Sequence, residues 1–285
     1  MSTQAEIEVS YDLGNEFFAL WLDREMNYTC GLWEDASSLE DAQAAKLATL
    51  CDFAHVAPGK RVLDVGCGWG AALRYLASQR QVAEAHGITL SSAQADYCKT
   101  HAVEGMSASL CNYLDYEPPT RFDSVLCICM MEHIATPEQA REGAHIQRYR
   151  DFFRRVHSWT ESEAWFGLQV ILRDRVPRAG GDLQNVNWTT HNIFPGGLSL
   201  RIEDVVRAVG PYWEIMEIRT RRSDYQKTTS AWLDRLIANE GLIRERWGLH
   251  AFEDYRRYLG TCVRAFEERY QSLGQFSLRR INSAE

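Results

Sequence analysis

Residues Val62 to Ala77 read VLDVGCGWGAALRYLA. Val62, Leu63, Asp64 and Val65 form a short apolar run with one acid in it, Gly66 to Gly70 supply a turn, and Ala71 to Ser78 are good helix formers. Strand, glycine turn and helix in that order make a ligand-holding junction of an α/β protein. What it holds is narrowed by what it lacks. A phosphate-cradling loop ends in Gly-Lys-Ser/Thr, and this one does not. A dinucleotide fingerprint reads G-x-G-x-x-G, whereas Gly66, Gly68 and Gly70 give G-x-G-x-G. Asp64, two residues before the first glycine, would repel a pyrophosphate and suit a cation. A nicotinamide dehydrogenase is disfavoured on these grounds.

Outward from the turn, strands are expected over 83–89, 122–129 and 164–173, and helices from Ser91 or Ser92 to about Ala102 and from Tyr149 to Trp159. Alternation of this kind implies a mostly parallel sheet with helices on both faces. Residues 1–59 read as helical and polar, with Phe17, Phe18 and Trp21 at helix-like intervals. Gly180 to Leu200 carries the Gly, Pro and Asn signals of a long loop or lid, and Tyr225 to Tyr270 reads as two helices. The chain therefore divides into an N-terminal cap segment (1–59), a ligand-binding core (60–178) and a C-terminal part of the same domain (179–285).

With 285 residues, 45% of them hydrophobic and 25% charged, the chain can bury a sizeable core. A net charge of −8 argues against nonspecific nucleic-acid binding and gives no general attraction to anionic membranes. The eight cysteines form no C-x-x-C pair, so neither a zinc site nor a disulfide framework is expected, and no metal is assigned. No basic start leads into an apolar run and no 18-residue apolar stretch occurs, which reads as an untargeted cytoplasmic protein without stable membrane insertion.

The pattern D-x-G-C-G-x-G after a strand resembles the S-adenosylmethionine-binding motif of class I methyltransferases. Glycines let backbone approach the ligand closely, and a helix N-terminus favours a carboxylate such as the methionine tail. The flanks are more specific. Ser10 to Asn15 with Phe17-Phe18, Met26 to Cys30, VGCGWG, Gly87 to Ser91 with Gln94, Met131-Glu132-His133, Ile193 to Gly197, Tyr258-Leu259 near Cys262, and Gln275-Phe276 together resemble the cyclopropane fatty acid synthase and mycolic acid cyclopropane synthase family. They run in family order along almost the whole chain. The resemblance implies a Rossmann-like α/β fold with a mostly parallel, seven-stranded sheet and a helical cap over the acceptor pocket.

By the same likeness Tyr28 and Thr29 would contact the methionine end of the donor, with Asp64, Gly66, Cys67 and Gly68 beneath, Thr89 and Gln94 near the ribose, and Tyr113 against adenine. The family often has Asp before that aromatic residue, where this chain has Asn112. The family's chemical centre holds a bicarbonate used as a base. Cys30, Glu132, Ile171 and Tyr258 occupy matching places, and Gln169 stands where the family has His. Glutamine can hydrogen-bond an anion but cannot act as a base near neutral pH. Either the bicarbonate site survives with weaker binding, or Glu132, His133 or Tyr258 removes the proton directly, and a raised pKa in an apolar pocket would suit Glu132 to that work. Trp33, Tyr258 and Trp232 can face a carbocation with their rings.

The altered His position tips the expectation toward C-methylation of a specialised metabolite or prenyl skeleton, and the long Ala135–Gln147 segment, which would reshape the pocket mouth, keeps the substrate from being transferred from the family. The alternatives are cyclopropanation of unsaturated acyl chains in lipids, N-methylation of a small amine, and a noncatalytic donor-binding protein. A hydrophobic small-molecule or lipid acceptor is expected, and a homo-oligomer remains open. Two arginine groups, Arg219, Arg221 and Arg222 with Lys227, and Arg148, Arg150, Arg154 and Arg155, are candidate phosphate or lipid-head contacts, with solvated surfaces as the bland alternative.

Overall fold

The computed structural model describes residues 13–178 and 180–282, so Ser10, Tyr11 and Asp12 of the N-terminal motif lie outside the described residues. Seven strands, β1 (Arg61–Val65), β2 (Glu84–Thr89), β3 (Met106–Leu110), β4 (Phe122–Ile128), β5 (Thr160–Arg173), β6 (Trp213–Thr220) and β7 (Gln271–Arg280), form one sheet. Their order is β3-β2-β1-β4-β5-β7-β6. The first five are parallel, and β7 runs antiparallel to β5 and β6. β1 pairs with β2 on one side and β4 on the other, so sheet order reverses beside it and the crevice past its C-terminal end is a natural ligand position.

The helices are α1 (Asn15–Ala19), α2 (Leu39–Phe53), α3 (Ala71–Gln79), α4 (Ser92–Thr100), α5 (Pro137–Arg141), α6 (His145–Ser158), α7 (Gly180–Asn192), α8 (Ile202–Val209), α9 (Arg222–Ala238) and α10 (Glu240–Glu267), the last kinked at Gly248, where φ is +87°. One sheet face is covered by α6 and α8, through Tyr149, Phe152, Phe153, Val205 and Val209. Leu47, Leu50 and Cys51 of α2, with Leu73 and Leu76 of α3, belong to a second core cluster. Ser38 starts α2 by accepting the Asp41 N–H at 3.1 Å, which satisfies an otherwise orphaned donor of the first turn.

A third cluster joins α1, α9 and α10 through Phe17, Phe18, Trp21, Tyr225, Trp232, Tyr255 and Tyr258. Trp69, from the turn after β1, belongs to it, so this aromatic cap stands at the C-terminal edge of the sheet. Phe17 and Tyr255 meet edge to face at 4.6 Å, a preferred geometry for aromatic pairs.

Two expectations are corrected. Gly180 to Leu200 is not one long loop, because its first thirteen residues are helix α7. Its Gly and Asn residues are poor helix formers, but α10 holds the segment in place. Arg264 Nε donates to Asp182 at 3.0 Å, Arg257 donates to Asn185 at 2.9 Å, and the Arg257 guanidinium lies 4.3 Å from the centre of the Trp188 ring. Strand β3 was not expected at all; its sequence MSASL is short, without β-branched or aromatic residues, and only half-buried at the sheet edge. The strands expected third and fourth are consequently β4 and β5.

Candidate functional site

The turn after β1 has three glycines at positive φ: Gly66 at +86°, Gly68 at +52° and Gly70 at +79°. The first two lack a side chain for different reasons. A Cβ on Gly66 would lie 2.6 Å from Met130 Cγ, so the turn could not pack against the segment after β4. A Cβ on Gly68 meets nothing within 4 Å, so its absence leaves room above the backbone.

That room is a cavity of about 160 Å³. Tyr28 and Thr29 enter it from the segment before α2, and Asp64, Gly66, Cys67 and Gly68 from β1 and its turn. Thr89 and Gln94 come from the β2–α4 junction and Tyr113 from beyond β3. Thr89 Oγ1 donates to Gln94 Oε1 at 2.9 Å, which fixes the pair. Asp64 is 2% exposed and its Oδ1 has no hydrogen-bond partner, a costly state unless a ligand completes it. Burial pushes its carboxyl up to about 7, and the nearby Lys46 ammonium opposes that rise.

Lys46 also lines this cavity and is 1% exposed. Its Nζ donates to Asn27 Oδ1 at 2.8 Å, and Asn27 Nδ2 donates to Asp23 Oδ2 at 2.9 Å. Lys46 was not singled out from the sequence, although a signal was there. It lies on the same face of α2 as Leu39, Ala42 and Leu50, where a solvated lysine does not belong.

A second cavity, of about 370 Å³, lies on the cap side. Tyr28, Cys129 and His133 line both cavities and mark where the two meet. Beyond that junction Phe194, Tyr225, Trp232, Tyr258 and Phe266 give the second cavity aromatic walls. Tyr28 OH donates to Tyr258 OH at 2.9 Å, tying the N-terminal segment to α10. Burial raises both phenols well above their ordinary range.

Glu132 reaches this cavity from a single 3₁₀ turn, Met131–His133. Its Oε1 accepts the Ile171 N–H at 2.5 Å, while Oε2 is buried without a partner. Burial pushes the carboxyl up to about 7, against the lowering effect of the Ile171 N–H. His133 is driven down to about 4 by burial, so its ring is neutral at pH 7. A free carboxylate oxygen poised near neutrality in an apolar cavity is a proton acceptor.

Glu132, His133, Ile171 and Tyr258 thus come together, whereas Cys30 and Gln169, expected with them, and Asn112, expected at the donor cavity, do not take their places. Cys30 is fully buried, donates to the Gly31 carbonyl at 3.1 Å and lines neither cavity; burial raises its thiol well above the usual range. Gln169 lines neither cavity, since its Oε1 accepts from Gln275 at 2.9 Å and its Nε2 donates to Cys129 Sγ at 3.4 Å. Asn112 turns its Oδ1 onto the Leu114 N–H at 3.0 Å, capping its own turn instead of lining the first cavity.

These contacts bear on bicarbonate. The Ile171 N–H is taken by Glu132, Gln169 is occupied elsewhere and Cys30 is turned away. At the Glu132 end of the cavity these three groups are therefore not free to hold bicarbonate in the arrangement that the resemblance implies. Trp33 donates through Nε1 to Thr228 at 2.9 Å and is not a cavity wall, whereas Trp232 is. The basic group at 219–227 is largely spent on the fold: Arg219 pairs with Glu217, Arg221 with Glu34, and Arg222 donates to the Phe266 carbonyl at 2.6 Å. On α6, Arg150 donates to the Arg207 carbonyl and Arg154 pairs with Asp151. All eight cysteines are free thiols, and no helix among the described residues is long and apolar enough to cross a membrane.

The family model described as Mycolic acid cyclopropane synthetase matches residues 1–276. The cyclopropane-fatty-acyl-phospholipid synthase of Escherichia coli (strain K12) is 30% identical over 267 residues, 93% of this chain and 65% of that protein, so the chain spans slightly less than two thirds of that relative. Among solved structures, the cyclopropane synthase MmaA2 from Mycobacterium tuberculosis has a TM-score of 0.88 at 25% identity, with 98% of each chain covered. The mycolic acid cyclopropane synthase CmaA1 complexed with SAH and CTAB has a TM-score of 0.87 at 25% identity, again with 98% of each chain covered. These likenesses agree with the mostly parallel seven-stranded methyltransferase fold.

Proposed function

The chain belongs to the mycolic acid cyclopropane synthetase family, and from that premise we propose that it is an S-adenosylmethionine-dependent methyltransferase that converts the alkene of an unsaturated lipid acyl chain into a cyclopropane. The expectation of a specialised-metabolite or prenyl acceptor gives way, because the relatives' names point to lipid acyl chains. The observation that carries the reading is the unpartnered Glu132 Oε2 in the wall of an aromatic cavity that meets the glycine-turn cavity at Tyr28, Cys129 and His133.

The bound donor supplies an electrophilic methyl group. Asp64 answers its positive charge, and the turn glycines give its backbone-facing side room. Tyr28 and Thr29, Thr89 and Gln94, and Tyr113 are the proposed contacts of its methionine, ribose and adenine parts. Much of the rate comes from holding the alkene in line with the methyl, a gain of positioning. As the alkene carbon bonds to the methyl carbon, positive charge develops on the neighbouring carbon, and the Tyr225, Trp232 and Tyr258 rings face it, each worth about 0.5–2 kcal/mol. Glu132 Oε2 then takes a proton from the transferred methyl, and the freed C–H electron pair closes the three-membered ring. His133, neutral at pH 7, adds no competing positive charge at the junction.

The test is incubation with S-adenosylmethionine and vesicles of a monounsaturated phospholipid, followed by chromatography of the released acyl chains. Cyclopropane acyl chains are expected. Turnover of prenyl diphosphates or amines with none on the vesicles would overturn the assignment.

A further inference from the structure

The acceptor cavity has a second chemical feature at Arg173 and Arg175, which both line it. Arg173 is the last residue of β5 and shares a strand face with Ile171, whose N–H holds Glu132. Its backbone is pinned, since its own N–H donates to the Leu200 carbonyl at 2.6 Å. Its side chain is not: Nε is buried with no hydrogen-bond partner, and among the described residues no acid pairs with either arginine. Other arginines with a buried Nε differ, because Arg221 pairs with Glu34 and Arg150 donates to the Arg207 carbonyl. The acid Asp182, on the neighbouring α7, is held by Arg264 and by Tyr270 OH at 2.7 Å. Glu132 is the one carboxylate in the cavity wall, and its Oε1 is engaged with Ile171. Its Oε2 has no partner, so among the described residues neither guanidinium has a direct ion pair.

Apolar side chains accompany it. Val176 is 61% exposed and Leu183 38%, and both line the same cavity as the two arginines. A collar that is apolar and cationic together matches the zone of a phospholipid where acyl chain meets phosphate. A guanidinium fork suits a phosphate by two parallel N–H···O bonds, and Ser199 and Asn187, which line the same wall, add hydroxyl and amide groups.

We propose that Arg173 and Arg175 form an anion subsite of the acceptor cavity that receives the phosphodiester of a phospholipid whose acyl chain extends toward Glu132. This rests on the lipid reading above and adds the head group to it. The subsite is read by equilibrium binding without turnover, using a soluble short-chain phosphatidylglycerol, the matching neutral diacylglycerol, a short-chain fatty acid and inorganic phosphate. Arg173→Gln should weaken phosphatidylglycerol binding about tenfold or more, with less than a twofold change for the diacylglycerol. Arg175→Gln, at an exposed position, should weaken it in the same sense even if Arg173→Gln folds poorly. Inorganic phosphate should compete with phosphatidylglycerol, but more weakly than a second phospholipid.

Equal losses for charged and neutral ligands, or no loss in either variant, would overturn the proposal. So would tighter binding of the fatty acid or of free phosphate than of the phospholipid. Absence of cyclopropanation in the wild-type protein alongside an intact charge-dependent binding split would sink the proposed reaction and leave the subsite standing.

Discussion

The two cavities are built in opposite ways. The first is built around the glycine turn after β1, with the β2–α4 junction and Tyr113 on one side and Tyr28, Thr29 and Lys46 on the other. The second is made by side chains from segments scattered along the chain, from Tyr28 through the 3₁₀ turn and the end of β5 to α9 and α10. A cavity of the first kind needs special φ angles and close approach, and tolerates few changes of shape. One of the second kind depends on packing among large aromatic residues and can be reshaped by substitution. The comparison teaches where donor chemistry is fixed and where acceptor choice resides.

The largest expected effect separates the cavities by chemistry. Glu132→Gln keeps the volume but removes the proton acceptor, so ring closure should slow by about 10²–10⁴, with donor affinity unchanged because Glu132 does not line the first cavity. Steady-state rates and donor titration check both halves. Asp64→Asn should do the reverse, weakening donor binding by about 3 kcal/mol, as when one partner of a buried ion pair is removed. Acceptor binding should stay within twofold, and calorimetric titration of each ligand reads the contrast.

Dependence on pH sharpens the same division. A base must be ionised to accept a proton, so kcat at saturating donor should fall tenfold per pH unit below about 7, where Glu132 titrates, and level off above it. Donor binding to the free protein should also strengthen as pH rises through about 7, because the cation prefers ionised Asp64. Asp64→Asn should flatten the binding profile and leave the kcat profile in place. Lys46→Met should move the binding midpoint upward, since the Lys46 ammonium is what holds the Asp64 carboxyl down. Coincident profiles in all variants would break the comparison. The smallest effect is expected of Tyr258→Phe, which removes one hydrogen bond to Tyr28. A loss of about 1 kcal/mol in thermal or denaturant stability is expected.

The contrast also explains what could be read from sequence. The glycine turn is local, so the spacing of Asp64, Gly66 and Gly68 already marked it, whereas Thr89 and Gln94 came through family resemblance. The parallel sheet followed from strand and helix alternation, but β3 escaped because MSASL, though it alternates apolar and polar residues, is only five residues long and has no β-branched or aromatic residue. Helix α7 escaped because tertiary contacts with α10 overrule its poor propensity. In the acceptor cavity, Glu132, Ile171 and Tyr258 came through family resemblance, yet the orientation of Gln169 could not, because it depends on Gln275 a hundred residues later. Phosphate-binding arginines were sought in visible clusters, of which Arg150, Arg154, Arg219, Arg221 and Arg222 are engaged within the fold, whereas Arg173 and Arg175 lie outside those clusters. Only the fold shows that the Arg173 Nε is buried in the cavity wall without a partner.

The most direct test of the central claim, that Glu132 takes its proton from the methyl group delivered across the junction, is product analysis with a donor carrying a CD3 methyl and a monounsaturated phospholipid. The account predicts a cyclopropane that retains two of the three deuterium atoms, and loss of that product in Glu132→Gln. A wild-type product that keeps all three deuteriums would contradict it, because the proton would then have left from another carbon and no ring would have closed.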